Sequence, residues 1–357
     1  MKTKKITALL SLLLCGSLLC LTACSDNEKI NFSNNWNEYP SNIIEGLIET
    51  TIYQVSGGTP ENYTGAYNLS YDGTYKTQLK HLSEDGNDFY EYYTWLDYKV
   101  TYTWNGETIT HEKDYSYSYV KFKDATQGLV PVSSWREFSS HTPRNEVNVG
   151  CIEECWGGTK EDPDKGVIEY KTEISYGENN QATYTRIQGA ENFDVQGESE
   201  LKKGGKFDYS GDKLSYLDNE QLIFAFRALD KSTTSTTVAV FSPFAGAQKF
   251  TLAFDSNDTK ENFTFTKFGK STPAPTSETG SETNSETASV VSKPIAYRTG
   301  TLSLKAKFSG PSYTVKVANS ETEARNSNRN VILEIQSPLS NNMGTIVYKL
   351  TSWEYNK

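Results

Sequence analysis

Histidine is scarce in this chain: three occur in 357 residues, His81, His111 and His141, and no two are close enough to share a helical turn. Local metal motifs built on paired imidazoles are thereby excluded, because zinc sites draw their ligands from short, characteristic spacings. His111-Glu112-Lys113-Asp114-Tyr115 opens in the manner of a zinc-protease helix, but Tyr115 stands where the second histidine belongs. Ser210-Gly211-Asp212-Lys213 has Ser-x-x-Lys spacing, yet it sits in a glycine turn instead of opening an apolar helix. Lys202-Lys203-Gly204-Gly205-Lys206 lacks the glycine spacing and the strand-then-helix setting of a phosphate loop, and reads as a basic hairpin turn. Two acidic stretches, 161–166 and 255–261, gather oxygen ligands without the glycine or the length of a calcium loop, and read as solvated turns. No catalytic residue, metal or cofactor emerges from any of these.

Positive charge is also in deficit. Lys and Arg number 35 against 45 Asp and Glu, a formal net charge of −10. Nucleic acid is excluded as a partner on that balance, since its binding is driven by basic side chains displacing counterions. Long apolar runs are missing everywhere but at the N-terminus, where Lys2, Lys4 and Lys5 precede an apolar stretch over residues 6–21. Ser11, Gly16 and Ser17 interrupt it, and Ser25-Asp26-Asn27-Glu28-Lys29 comes directly after. A membrane-spanning helix needs about 20 predominantly apolar residues, so this layout reads as a secretory leader. Its end, Leu21-Thr22-Ala23-Cys24, resembles the lipobox of bacterial lipoproteins: an aliphatic residue, two small or polar ones, then cysteine. The resemblance implies that a diacylglycerol is attached to the Cys24 sulfur, that a peptidase cuts before it, and that the mature chain hangs by lipid on the extracytoplasmic face of a bacterial membrane. Two acyl chains suffice for stable anchoring where one is marginal. Loss of residues 1–23 removes three lysines and takes the net charge from −10 to −13.

Of the five cysteines, Cys15 and Cys20 fall in the leader and Cys24 is the lipid site, which leaves Cys151 and Cys155. An exported chain can hold disulfides. In a strand, residues four apart lie about 13 Å from one another, whereas bridged Cα atoms lie within about 7 Å. A bridge therefore requires a turn, which Gly150 and Gly157-Gly158 allow; the alternatives are two free thiols or a metal site, for which no second Cys or His pair lies nearby to complete four ligands.

After residues 24–42, a polar stretch that reads as a flexible tether, residues 43–357 read as one large β-rich domain. Its dominant signal has a period of two. The segments 66–71 and 74–77 are expected to form a hairpin across Asp72-Gly73, and 100–104 and 107–110 another across Asn105-Gly106, since Asp-Gly and Asn-Gly supply the positive φ angles of type I′ turns. Residues 167–176 and 182–187 form a third pair. The rhythm breaks at 218–229, where Asp218 and Gln221 make a capping-box pair and Leu222, Phe226 and Leu229 recur at helical spacing, so one amphipathic helix is expected there. Strands resume at 237–241, 249–254, 263–268, 302–308, 313–317, 331–335 and 345–355. The Ser/Thr/Glu-rich stretch 271–292 is too polar to bury anything and reads as a disordered insertion.

This order, strands, one central helix around 218–229, then strands through Gly344-Thr345-Ile346-Val347-Tyr348-Lys349-Leu350, resembles the LolA-like half-open β-barrel lipoproteins and lipid carriers. The resemblance implies a curved antiparallel sheet wrapping a helix, with a concave face able to hold acyl chains. The most conspicuous feature of composition is aromatic: 13% of residues, with 23 tyrosines and six tryptophans. Tyr93, Trp95, Tyr102, Trp104, Tyr115, Tyr117 and Tyr119 fall in adjacent strands and are candidates for a ligand-facing sheet surface; packing of a half-exposed sheet is the alternative role. The chain thus reads as a non-enzymatic binder or carrier of an amphiphile, or else as a surface module binding glycan or peptide through this face. Replacement of the lipid site, Cys24→Ala, is expected to release the protein from the membrane fraction; unchanged lipid labelling and fractionation would contradict the reading.

Overall fold

The computed structural model describes residues 32, 36, 45–63, 67–104, 107–123, 129–140, 168–177, 181–189, 200–208, 215–229, 233–243, 246–270, 290–305, 312–319, 329–339 and 343–356. Residues 1–23, read as a leader, Cys24, Cys151, Cys155 and the polar stretch from 271 to 289 lie outside the described residues.

Alternation in the sequence becomes alternation in space. In the strand β3 (Asn87–Trp104), Tyr90, Tyr92, Leu96, Tyr98, Val100 and Tyr102 are buried, while Glu91, Tyr93 and Trp95 on the other face are half-exposed. β3 pairs along its length with β2 (Tyr67–Glu84) and β4 (Glu107–Lys123). From β4 the ladder continues through β5 (Pro131–Ser140), β6 (Ile168–Tyr176), β7 (Gln181–Gly189) and β8 (Glu200–Asp208). On the other side β2 pairs with β1 (Gly46–Gly58), which pairs in turn with the strand at the far end of the chain, β17 (Thr345–Tyr355).

From β17 the sheet passes through β16 (Ile332–Pro338), β15 (Tyr313–Ala318) and β14 (Val291–Leu304) to β11 (Gly246–Phe254), β10 (Ser235–Ser242) and β9 (Ser215–Asp218). Two short strands, β12 (Thr259–Phe265) and β13 (Lys267–Lys270), fill the remaining flanks of β14 and β17. Only the β9–β10 and β13–β17 pairs are parallel among those described. Among the described residues the result is one large, curved sheet of 17 strands that does not close.

The sheet wraps the segment after β9. Asp218 and Gln221 form the expected capping box: the Asp218 carboxylate accepts from the Glu220 N–H at 2.8 Å, and the Gln221 carbonyl oxygen accepts from the Asp218 N–H at 2.9 Å. From this box the chain makes a 3₁₀ turn (Asn219–Gln221), tight turns, and one turn of α-helix, α1 (Ala225–Ala228), in place of an unbroken amphipathic helix. Every residue from 221 to 229 is buried. A segment enclosed on all sides has no polar face to present, and a helix this short owes its existence to packing. Arg227, the one charge in it, forms a bidentate pair with Glu49 of β1 at 2.6 and 2.8 Å.

Four further sequence expectations change on the structure. Asp72 and Gly73 lie in mid-strand, paired with Lys99 and Tyr98, and make no hairpin. A Cβ at Gly73 would stand 2.3 Å from the Asp97 carbonyl oxygen, so glycine serves close strand approach there. The tight turn is at Asp85 (φ 50°) and Gly86 (φ 77°), whose two positive φ angles join β2 to β3. Lys202–206 is part of β8, with Lys203 opposite Arg186, and is no turn. Phe32 and Trp36, in the stretch read as a tether, are buried in the core; the Trp36 ring meets Tyr90 at 4.9 Å and Phe224 at 5.1 Å, both edge-on. Val291 and Ser292, at the end of the stretch read as an insertion, already belong to β14. The strands on either side of Asn105-Gly106 and the β6–β7 pair meet as expected, with Trp104 opposite Glu107 and Tyr176 opposite Ala182, while Asn105 and Gly106 themselves lie outside the described residues.

Phe226 of α1 is fully buried with its ring against Gly300 and edge-on to Phe254 at 5.5 Å; a Cβ at Gly300 would stand 2.6 Å from it. Phe226→Ala should therefore destabilise the fold by about 3–5 kcal/mol in denaturant unfolding; a loss below about 1 kcal/mol would contradict this packing.

Candidate functional site

The period of two sorts the candidate aromatics by parity. Tyr93 and Trp95 of β3 and Tyr115, Tyr117 and Tyr119 of β4 share the outer face, with Tyr93 opposite Tyr119 and Trp95 opposite Tyr117. Tyr102 has the opposite parity in β3 and points inward; it is buried and stacks on His111 at 5.8 Å. Trp104 ends β3, and its side chain lies outside the described residues. Trp135, on the next strand opposite Tyr119, joins the face at 6.4 Å from the Tyr119 ring. Alternation in Trp135-Arg136-Glu137-Phe138 is the sequence signal for it.

The outer face is an aromatic ladder laced with charge. Tyr93 and Trp95 stack nearly parallel at 5.6 Å, and Tyr115 and Tyr117 stack at 4.7 Å. Each phenol donates to a carboxylate: Tyr93 and Tyr119 to Glu91 at 3.1 and 3.0 Å, Tyr115 to Glu137 at 3.1 Å, and Tyr117 to Asp97. Partial burial, then the neighbouring carboxylate, pushes the hydroxyls of Tyr93 and Tyr115 up to about 12 and raises those of Tyr117 and Tyr119 as well. They are neutral donors at any physiological pH. Lys76 lies 5.4 Å over the Trp95 ring and Lys80 4.5 Å over Tyr93. Aromatic surface edged by both signs of charge can hold a ligand that offers apolar faces and hydroxyl or amide groups together.

The inner face is different. Trp36, Phe224, Phe226, Leu229 and the inward side chains of β1–β4 and β14–β17 form one continuous buried cluster. The described concave side is thus filled by the chain's own side chains, with buried polar groups paired among themselves as in Glu49–Arg227 and Thr51–Thr77, and a further polar cluster lies at the seam where β9 faces β5 and β6.

At that seam Asp218, fully buried at the end of β9, reaches across to β5 and β6. It accepts hydrogen bonds from the Ser134 and Tyr176 hydroxyls, both at 2.6 Å. Burial, reinforced by the charge of Glu220, pushes its carboxyl up to about 6 against the downward pull of these donors. Beside it, Arg136 donates to Ser116 at 3.0 Å and to Glu220 at 3.5 Å, and its guanidinium lies 5.9 Å from the Tyr170 ring. Ile174, Ala182 and Phe241 pack as a small separate cluster alongside. Sequence reasoning does not find Ser134, Arg136 and Glu220 as site residues, because no local motif links positions so far apart in the chain. In the acidic stretch 255–261, Glu261 accepts from Tyr297 at 2.6 Å and from Lys316 at 3.3 Å, so that carboxylate is engaged internally.

The chain matches no family model, and no curated protein resembles it in sequence. Among solved structures it is similar to the crystal structure of a beta-barrel-like protein, a domain of unknown function, from Brucella abortus. That match covers 88% of this chain and 100% of the other at 7% identity, with a TM-score of 0.43.

The position of Asp218 fixes a pH dependence. Its carboxyl binds a proton more tightly in the folded state, at about 6, than at the ordinary value of 3.8. Its contribution to stability is therefore complete below the ordinary value and is lost as the pH rises through 6, a span on the order of 3 kcal/mol. Unfolding of the parent and of Asp218→Asn between roughly pH 7.5 and 4.5 should show the difference moving in favour of the parent as the pH falls. A pH-independent difference would contradict the burial of this carboxyl.

Proposed function

We propose that this protein is a lipid-anchored component of the bacterial envelope, held by Cys24 on the extracytoplasmic face, that binds glycan or peptide through the outer face of β3–β5 without catalysing a reaction. The anchor rests on the leader and on Leu21-Thr22-Ala23-Cys24. What carries the binding reading is the gathering of Tyr93, Trp95, Tyr115, Tyr117, Tyr119 and Trp135 on one outward surface of three adjacent strands. The packed concave side moves the reading away from an amphiphile carried inside the half-barrel, which would need room that the described core fills with Trp36, Phe224 and Phe226.

A sheet face of this kind presents a rigid target. Aromatic side chains lose little entropy on binding, and their partners Glu91, Asp97 and Glu137 sit at hydrogen-bonding depth among the rings. Sugar rings and peptide backbones both combine an apolar face with donors and acceptors at the edge. The acidic charge of the chain disfavours polyanionic ligands.

Trp95→Ala tests the face. Its ring is half-exposed and packs on Tyr93 and Lys76, so its removal should cost about 0.5–1.5 kcal/mol of stability. The inward Tyr102→Ala should cost several-fold more, about 3–5 kcal/mol. On a glycan and peptide array the Trp95 variant should lose roughly tenfold in affinity for whatever the parent retains. A melting temperature as low as that of the Tyr102 variant, or undiminished retention, would overturn the assignment.

A further inference from the structure

Large aliphatic side chains are left uncovered at one end of the sheet. Among the described residues the exposed ones are Leu47 and Val130 at 38%, Val291 at 42% and Val290 at 67%. Leu47 is the second residue of β1, Val130 immediately precedes β5, and Val290 and Val291 open β14. Four antiparallel steps lead from β1 to β5 through β2, β3 and β4, and four more from β1 to β14 through β17, β16 and β15. An even number of reversals restores direction, so β1, β5 and β14 run the same way and begin at the same end. The turn at Asp85-Gly86 and the last residues of β4 and β17 lie at that end too.

Lysines stand among these side chains. Lys80 is opposite Leu47, and the N–H of Lys123 donates to the Val130 carbonyl. The Lys121 ammonium lies 4.6 Å over the half-exposed Phe89 ring, and that of Lys293 lies 4.8 Å over Phe268. A lysine whose stem follows apolar surface while its ammonium stays in water suits the level of lipid phosphates, just above the acyl boundary.

The N-terminal segment joins the fold at this same end. Trp36 is fully buried among Tyr90, Phe122 and Phe224, and Tyr90 and Phe122 are partners near the Asp85-Gly86 end of β3 and β4. Twelve residues separate it from Cys24, a length that spans at most about 43 Å fully extended. β3 alone, at 18 residues, is about 60 Å long. An anchor at Cys24 therefore draws this end, and not the opposite one, to the bilayer.

We infer that the end carrying Leu47, Val130, Val290 and Val291 is a membrane-contact surface, its aliphatic side chains dipping into the lipid interface with lysines at headgroup level. The inference rests on the lipid-anchor reading of Cys24 and adds a posture to it: the strands rise from the bilayer, and the aromatic face of β3–β5 stands uncovered on the flank.

The experiment places the purified chain in vesicles of phosphatidylethanolamine and phosphatidylglycerol doped with a lipid bearing a photoreactive diazirine on its acyl chain. Intact mass beforehand tests the anchor by itself, as a diacylglycerol on Cys24 or none. Peptide mass spectrometry then maps the label, which is expected at Leu47, Val130 and Val290–Val291 and at least about fivefold less at the opposite strand ends, around Gly58 and Ser242. The double variant Leu47→Asp, Val130→Asp, checked by its melting curve, should cut the label at Val290–Val291 at least about fivefold. Val291→Asp, read at Leu47, serves if the double variant does not fold. If Cys24 carries no lipid, the anchor reading fails on its own, and a chain with a hexahistidine tag in place of residues 1–23, held on a nickel-chelating lipid, reads the posture independently. The inference is overturned if label falls on the opposite end or spreads evenly, or if folded variants label like the parent. Concentration-dependent dimers that the substitutions abolish, with no label at this end, would assign the surface to a second copy and likewise overturn it.

Discussion

The fold depends on one ion pair sealed inside it. Arg227, the only charged side chain in α1, meets Glu49 of β1 in a bidentate contact that water does not reach, with the guanidinium 5.3 Å over the Phe224 ring. The same guanidinium donates to the Arg329 carbonyl, and Asn330 donates to the Arg227 carbonyl, so the turn before β16 is tied to the same point. Such a pair adds little net stability over a well-packed apolar substitute, while loss of one partner costs about 3–5 kcal/mol. Its effect is therefore positional. It fixes the rotation of α1, hence the packing of Phe226 on Gly300, and, at the other end of the same short segment, the point at which Asp218 meets the seam. The polar cluster around Asp218 inherits its geometry from a contact between residues 178 positions apart in the chain.

What the sequence disclosed was the local part. Period-two burial, the pairing of the strands that flank Asn105-Gly106 and the Asp218–Gln221 capping box depend on neighbours along the chain, and they appear in the structure as expected. Asp72-Gly73 and Asp85-Gly86 are the same dipeptide with opposite fates. The difference lies in what each meets across the sheet: Gly73 is pressed against Asp97 and Tyr98 between two long strands, a tertiary circumstance invisible locally. Trp36 escapes sequence reasoning on related grounds. A lone tryptophan in polar text carries no periodicity, and only the gap between Tyr90 and Phe224 gives it a place.

The sites were legible to different degrees. Parity alone separates Tyr102 from Tyr93 and Trp95, so the outer face could be drawn from β3 by counting. Adding Trp135 required the β4–β5 register, which a bulge between Lys121 and Phe122 shifts near its end. The Asp218 cluster was beyond reach, because it assembles side chains from β5, β6 and β9 that become neighbours only when the sheet curves back on itself.

The placement of β17 carries a consequence for how the chain comes to be folded. This strand, residues 345–355, lies between β1 and β16 with Trp353 fully buried, and Glu49 pairs with Tyr355 across almost the whole length of the polypeptide. Neither half of the sheet can be completed until it arrives. Contacts of such separation make folding slow, since loop closure precedes any reward. A growing chain is thus kept from locking early into a compact state, with its strand edges open to chaperones meanwhile. The strand edges that flank it, on β1 and on β16, stay open until the C-terminal segment is available, and β17 then acts as the clasp.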